Sequence, residues 1–343
     1  MRTGLVAAFA LGIGGLSCSS SSGDAVKPLT FPFGPYELQP YQEITNECVQ
    51  ISLNNKDDLY LNAVDLATGV GFHHSNWFWL PENDITGSDG TFVCADRDFS
   101  EVTAAIYGGV ITAQSTQAPD TLQQFPTGAA VRIPAGSRIV GQLHLLNPGE
   151  SPLKITPHIT LTPIPKADVT VQLAAMSFEN MSIALPPNSQ SSFTLDCDLG
   201  SASQSATGSP PDFKMYYALA HYHALGTGMQ IEAVQADDTT STTIFQTTDT
   251  IGDPLGETLD PLFDFAGYTR IRYTCDYYNN TANTVYWGEG SAEMCIMLAF
   301  TDSPFEFGGG VVSPDAPGSA TDVNNVMQYN HACTEVYATA LSQ

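Results

Sequence analysis

Histidine is scarce in this chain, with seven in 343 residues. Yet His73 and His74 stand side by side in "GVGFHHSNWFW", and His221 and His223 stand two apart in "LAHYHALG". His144 follows the first pair in "IVGQLHLLN". Alternate residues of a strand share a face, so His-x-His on a strand presents two imidazoles to one side. An adjacent pair does so only if the strand is twisted or bulged. A single buried histidine is ordinarily a hydrogen-bonded core residue. Two pairs holding four of the seven point instead to a metal.

The donor types narrow the choice of metal. No His-Glu-x-x-His and no facial His/His/carboxylate spacing occurs. After "HYH" the first carboxylate is Glu232, too far for a cupin-type iron site. Met294, in "WGEGSAEMCIMLAF", sits between a Gly-rich turn and an apolar run. A thioether is a soft, weak ligand that favours Cu(I), and imidazoles suit copper in either oxidation state. A methionine in that place is ordinarily core filling, and Trp77 and Trp79 beside the histidine pair read as packing.

The elements that must carry these residues read as strands. "VRIPAGSRIVGQLHLLN", "ADVTVQLAAMSF", "FKMYYALAHYHAL", "TRIRYTCDYY" and "EMCIMLAF" are short runs rich in β-branched and aromatic residues. Gly, Pro, Asn, Asp and Ser clusters separate them. "SEVTAAIYGGV" has room for one short helix, while "GSASQSATGSPPD" and "DDTTSTTIFQTTDT" read as polar surface loops. The pattern predicts an all-β chain of sandwich type. The Pro-punctuated stretch "PHITLTPIPKAD" suggests a boundary near Lys166, dividing 31–166 from 167–343. His158 reads as a strand residue, His331 as a surface one, and Gly288 and Gly290 as turn formers.

Composition limits the setting. A formal charge of −25, from 36 acidic against 11 basic residues, repels phosphate backbones and excludes nucleic acid as a partner. Residues 1–18 begin with Arg2 and an apolar run from Leu5 to Leu16 that is too short to span a membrane. They suit an export signal. Cys18 ahead of a Ser-rich linker over 19–30 resembles a bacterial lipoprotein signal, although Gly15 stands where leucine is usual. The expected location is therefore the periplasm, the outer membrane through a lipid on Cys18, or the exterior. Cys48, Cys94, Cys197, Cys275, Cys295 and Cys333 remain, an even set that suits structural disulfides in an exported chain. The absence of any Cys-x-x-Cys argues against zinc ribbons and thioredoxin-like sites.

In order, "HH", "GQLH", "HYH" and "EMC" after a Gly-rich turn resemble the copper type II, ascorbate-dependent monooxygenases. Peptidylglycine α-hydroxylating and dopamine β-monooxygenases are the best-known members. The resemblance runs from about Cys48 to Cys333, and "CDYYNNTANTVYWGEGSAEMC" extends it beyond the ligands. It implies two jelly-roll-like β-sandwich domains facing across a cleft, with one copper ion in each. His73, His74 and His144 would hold the copper that stores an electron. His221, His223 and Met294 would hold the copper where O2 reacts. It also implies the pairings Cys48–Cys94, Cys197–Cys333 and Cys275–Cys295. The implied reaction hydroxylates a C–H bond of a small substrate with O2 and an ascorbate-like reductant, and no residue beyond the ligands stands out as catalytic.

The chain departs from the peptide-amidating members where they hold the substrate carboxylate. Leu219 replaces the Arg two before His-x-His, Leu298 the Tyr four after the Met, and Ile296 the Asn two after it. A carboxylate would lose charge-assisted hydrogen bonds of about 1.5–3 kcal/mol each. The expected substrate is therefore neutral or cationic. Two other readings of the same residues are a non-catalytic exported copper store or sensor, and a structural or adhesive lipoprotein with incidental histidines.

Overall fold

The structure is a computed structural model that describes residues 26–69, 72–114, 118, 120–249, 255–288, 291–313 and 318–341. The export signal, Cys18, most of the Ser-rich linker and Gly290 lie outside these residues. As the sequence pattern predicts, strands dominate. The first half is a sandwich. One layer is antiparallel, in the order Gly90–Val93, Glu43–Ser52, Ser137–Leu146, Phe72–Pro81, Gly109–Ala113. The other contains Leu29–Pro32, His158–Pro163, Leu59–Ala67 and Ala129–Ile133. Val49, Leu61, Trp77, Ile139, Leu143 and Leu161 fill the space between them.

The second half repeats the plan. Val171–Asn180, Ile296–Thr301, Lys214–His221 and Gly256–Asp264 form one layer. Opposite lie Ser241–Thr247, Gly226–Gln235, Tyr268–Asn279, Ser189–Asp198, Val326–Ala332 and Thr321–Val323. Met176, Phe193, Ala218, Tyr273, Met297 and Ala299 are among its core. The boundary residue Lys166 opens a short 3-10 turn, Lys166–Asp168, between the last strand of one half and the first of the other.

The halves are joined in two ways. Ala129–Ile133 pairs in parallel with Val171–Asn180, placing Ala129 beside Val171 and Val131 beside Leu173, so one sheet runs through both. A third buried cluster then draws Phe78, Leu80 and Val140 from the first half together with Leu219, Leu298 and Phe300 from the second. The alternation of each strand explains this arrangement. Trp77 and Trp79 face their own core while Phe78 and Leu80 face the join, and Met297 and Ala299 face inward while Leu298 and Phe300 face the join. Phe72–Pro81 is accordingly buried along nearly its whole length. The described residues show a packed apolar contact here.

Two segments expected as polar loops are regular elements. Leu199–Thr207 is a helix: the Asp198 carboxylate caps it by accepting from the Ser201 N–H at 3.0 Å, Leu199 and Ser203 are buried, and Gly208 ends it at φ +75°. The Ser and Ala content hid a helix whose apolar face is a single residue wide. Ser241–Thr247 is an edge strand against Gly226–Gln235, its threonines turned largely to solvent. The short helix in "SEVTAAIYGGV" is present as Glu101–Tyr107. His158 opens a strand as expected, and His331 lies half-buried in the strand Val326–Ala332.

All six described cysteines are bridged, as Cys48–Cys94, Cys197–Cys333 and Cys275–Cys295. Such bridges belong to a chain that folds in an oxidising, extracytoplasmic setting. Among the described residues no helix is long and apolar enough to cross a membrane.

Candidate metal centre

The adjacent histidines are reconciled by a β-bulge. Along the ladder between Phe72–Pro81 and Ser137–Leu146, His74 pairs with His144, but the next partner of Leu145 is Phe72. His73 is the extra residue, and the bulge brings its ring to the side already occupied by His74. The His73 and His144 ring centroids are 4.2 Å apart, His74 and His144 5.0 Å, and His73 and His74 5.2 Å. His-x-His ends the strand Lys214–His221, where His221 and His223 continue the face of Leu219 towards the join.

Both groups therefore meet at one place. His74 lies 5.0 Å from His221 and 5.5 Å from His223, and His73 lies 5.7 Å from His223. Within the second group, His221 and His223 are themselves 5.4 Å apart. The five rings are 1–6% exposed. The group from each half thus lies against the group from the other. The join brings together the faces that each half turns away from its own core, and the rings converge with them.

Hydrogen bonds fix several of these rings. His221 Nδ1 lies 3.2 Å from the Gln114 carbonyl oxygen and His223 Nδ1 lies 2.8 Å from that of Ala292. His144 Nε2 lies 2.8 Å from Glu43 Oε1. A ring N–H given to each oxygen leaves the other nitrogen as a bare lone pair. Those nitrogens, His144 Nδ1, His221 Nε2 and His223 Nε2, are buried without a hydrogen-bond partner, as is His74 Nδ1. Buried orphans are rare because each costs desolvation, so four in one cluster form a donor set that a metal ion would satisfy. One donor atom each from His73, His74 and His223 already lie within 4.8 Å of one another.

Burial also keeps the rings neutral, which is the ligating form. It pushes the His73 imidazole down to about 2, with neighbouring imidazoles adding to the effect. Burial takes His221 to about 3 and His223 to about 4, and moves His74 well below its ordinary value. His144 is lowered by burial, against the opposing pull of Glu43.

Met294 is brought to the same region by its backbone. Ile296 pairs with His221, and Cys295 is tied to Cys275. The Glu293 carboxylate accepts from the backbone N–H groups of His223 at 2.8 Å and Leu225 at 2.6 Å. The Met294 carbonyl accepts from the Tyr277 hydroxyl at 2.5 Å. Gly288, at φ +149°, lies in the turn before this segment. Leu219 and Leu298 face each other across the ladder and are buried in the join.

Two carboxylates that support the site went unnoticed in the sequence. Glu293 was visible only as part of "EMC". Glu43, in "YQEITNEC", gave no local signal, since it meets a histidine 101 positions away. Trp77 and Trp79 are core residues, as expected: the Trp77 indole lies against Gly141 and donates to Ser75 Oγ at 2.8 Å.

No protein-family model matches the chain, and no curated protein matches it. Solved structures with some likeness include the major capsid protein P2 of bacteriophage PM2, with 8% identity and a TM-score of 0.28, covering 80% of this chain and 97% of that one. Another is PNGase F, a glycosylasparaginase from Flavobacterium meningosepticum, with 6% identity and a TM-score of 0.37, covering 81% and 97%. A third is the cowpea mosaic virus top component, with 9% identity and a TM-score of 0.32, covering 77% and 89%. At such scores these likenesses carry no argument about the site.

Proposed function

We propose that the chain is an exported copper-dependent monooxygenase that hydroxylates a C–H bond of a small substrate with O2 and an ascorbate-like reductant. The observation that carries this reading is the convergence of five buried, neutral imidazoles, several with their second nitrogen held by an oxygen. The residues that fit copper are His73, His74, His144, His221 and His223, with Met294 expected beside them. Two copper ions per chain remain the expectation. Bound copper would supply one-electron chemistry and O2 activation, with the reductant providing two electrons per turnover.

The protein's own part is to position and exclude. The Gln114 and Ala292 carbonyls and the Glu43 carboxylate orient three rings. Glu293 holds the backbone of the His223 turn. Leu219 and Leu298 keep water from the join and offer no charge to a substrate carboxylate, which favours a neutral or cationic substrate.

The test is copper counting after reconstitution, with ascorbate-driven O2 uptake measured on a substrate panel. Copper bound at the cluster and uptake lost in Met294→Ala are expected. Less than one copper per chain would refute the reading, and preferred turnover of a peptide ending in glycine would refute the substrate class. The deep burial of all five rings favours one second reading, a non-catalytic copper store, whose mark is copper uptake with no O2 consumption on any substrate.

A further inference from the structure

We infer that the histidines form one metal centre with ligands shared between the halves, His223 joining His73 and His74, rather than two independent centres. This rests on the reading that the cluster binds copper.

The distances support sharing. If the ligands were divided by half, rings of one set should lie closer to one another than to the other set. Only His73 and His144, 4.2 Å apart, do so; His74 is 5.0 Å from His144 in its own half and 5.0 Å from His221 across the join. His223 is 5.4 Å from His221 and 5.5 Å from His74. The set whose donor atoms gather within 4.8 Å takes two residues from the first half and one from the second.

The surroundings hold this arrangement in place. The parallel ladder from Ala129 to Val171 and the apolar cluster containing Phe78, Val140, Leu219 and Leu298 clamp the halves on either side of the rings. Donor atoms already within 4.8 Å of one another could meet at one ion through small movements of the rings. Drawing the two sets apart would instead require breaking that ladder and opening the cluster. A second ion, where bound, therefore falls within reach of the first one's ligands.

The experiment uses the full chain loaded with Cu(II) and compares copper content with the paramagnetic resonance spectrum. His223→Ala and His221→Ala are the variants, and His158→Ala, outside the cluster, is the control. With two ions bound, sharing predicts a spin count below the copper count, or a half-field signal. With one ion bound, it predicts that His223→Ala changes the hyperfine pattern or abolishes binding. His158→Ala should match the wild type. Wild-type spectra need no variant to fold, so the test survives a failure of either substitution. Two full, non-interacting spins, with one left unchanged in His223→Ala, would overturn the shared centre while leaving the copper reading intact. Less than one copper per wild-type chain would overturn both.

Discussion

Replacing Glu293 by alanine should loosen the His223 turn and weaken the metal site together. The carboxylate is 1% exposed and accepts from two backbone N–H groups, those of His223 and Leu225. Alanine provides no acceptor for either N–H group. Each buried N–H left without a partner costs about 1–3 kcal/mol, so the copper-free variant should lose about 2–6 kcal/mol. The His223 ring keeps its hydrogen bond to the Ala292 carbonyl, but its backbone is no longer held, and loss of such support lowers metal affinity by about 10–100-fold. Urea unfolding of the copper-free protein reads the first quantity, and a copper titration against a competing chelator reads the second. Glu293→Gln, which retains one carbonyl acceptor, should fall between wild type and alanine in both. An alanine variant within about 0.5 kcal/mol of wild type, with unchanged copper affinity, would refute the role assigned to this carboxylate.

Two further perturbations test the scaffold and its electrostatics. A Cβ added at Gly141 would lie 2.7 Å from the Trp77 ring, which is fully buried, so Gly141→Ala should cost about 1–3 kcal/mol through displacement of the indole. Thermal unfolding with near-ultraviolet circular dichroism checks this, and an unchanged tryptophan signal would contradict it. Glu306 is pushed up to about 7 by burial from an ordinary 4.5. The folded state therefore holds a proton that the unfolded state has released, and the resulting stability is present below about pH 4.5 and lost as the pH rises towards 7. Relative to Glu306→Gln, the wild type should weaken across that window by no more than about 3 kcal/mol. A flat difference in urea midpoints between pH 5 and pH 7.5 would argue against the shift.

Much of the fold could be read from the sequence because strand alternation and turn residues are local signals. The five short runs chosen as strands all contain strands, and the need for either a twist or a bulge at His73 and His74 followed from the two-residue repeat alone, without deciding between them. What could not be read was how the faces meet. Whether Phe78 and Leu298 look into water or into each other depends on the packing of one sandwich upon the other, and neither strand records its distant partner. The convergence of His74 with His221 belongs to the same class of long-range fact, as does the contact of Glu43 with His144. The helix at Leu199–Thr207 was missed for a different reason: its stability rests on the Asp198 cap and a single buried leucine, so no apolar periodicity marked it.

The parallel pairing of Ala129–Ile133 with Val171–Asn180 bears on how this chain can be cut for study. A fragment ending at Lys166 would leave the donors and acceptors of Ala129–Ile133 bare along one edge, next to an uncovered patch containing Phe78 and Val140. Exposed strand edges beside greasy surface recruit other chains. Either fragment expressed alone would then tend towards inclusion bodies, and co-expression of the two pieces would be the sounder route to a split form.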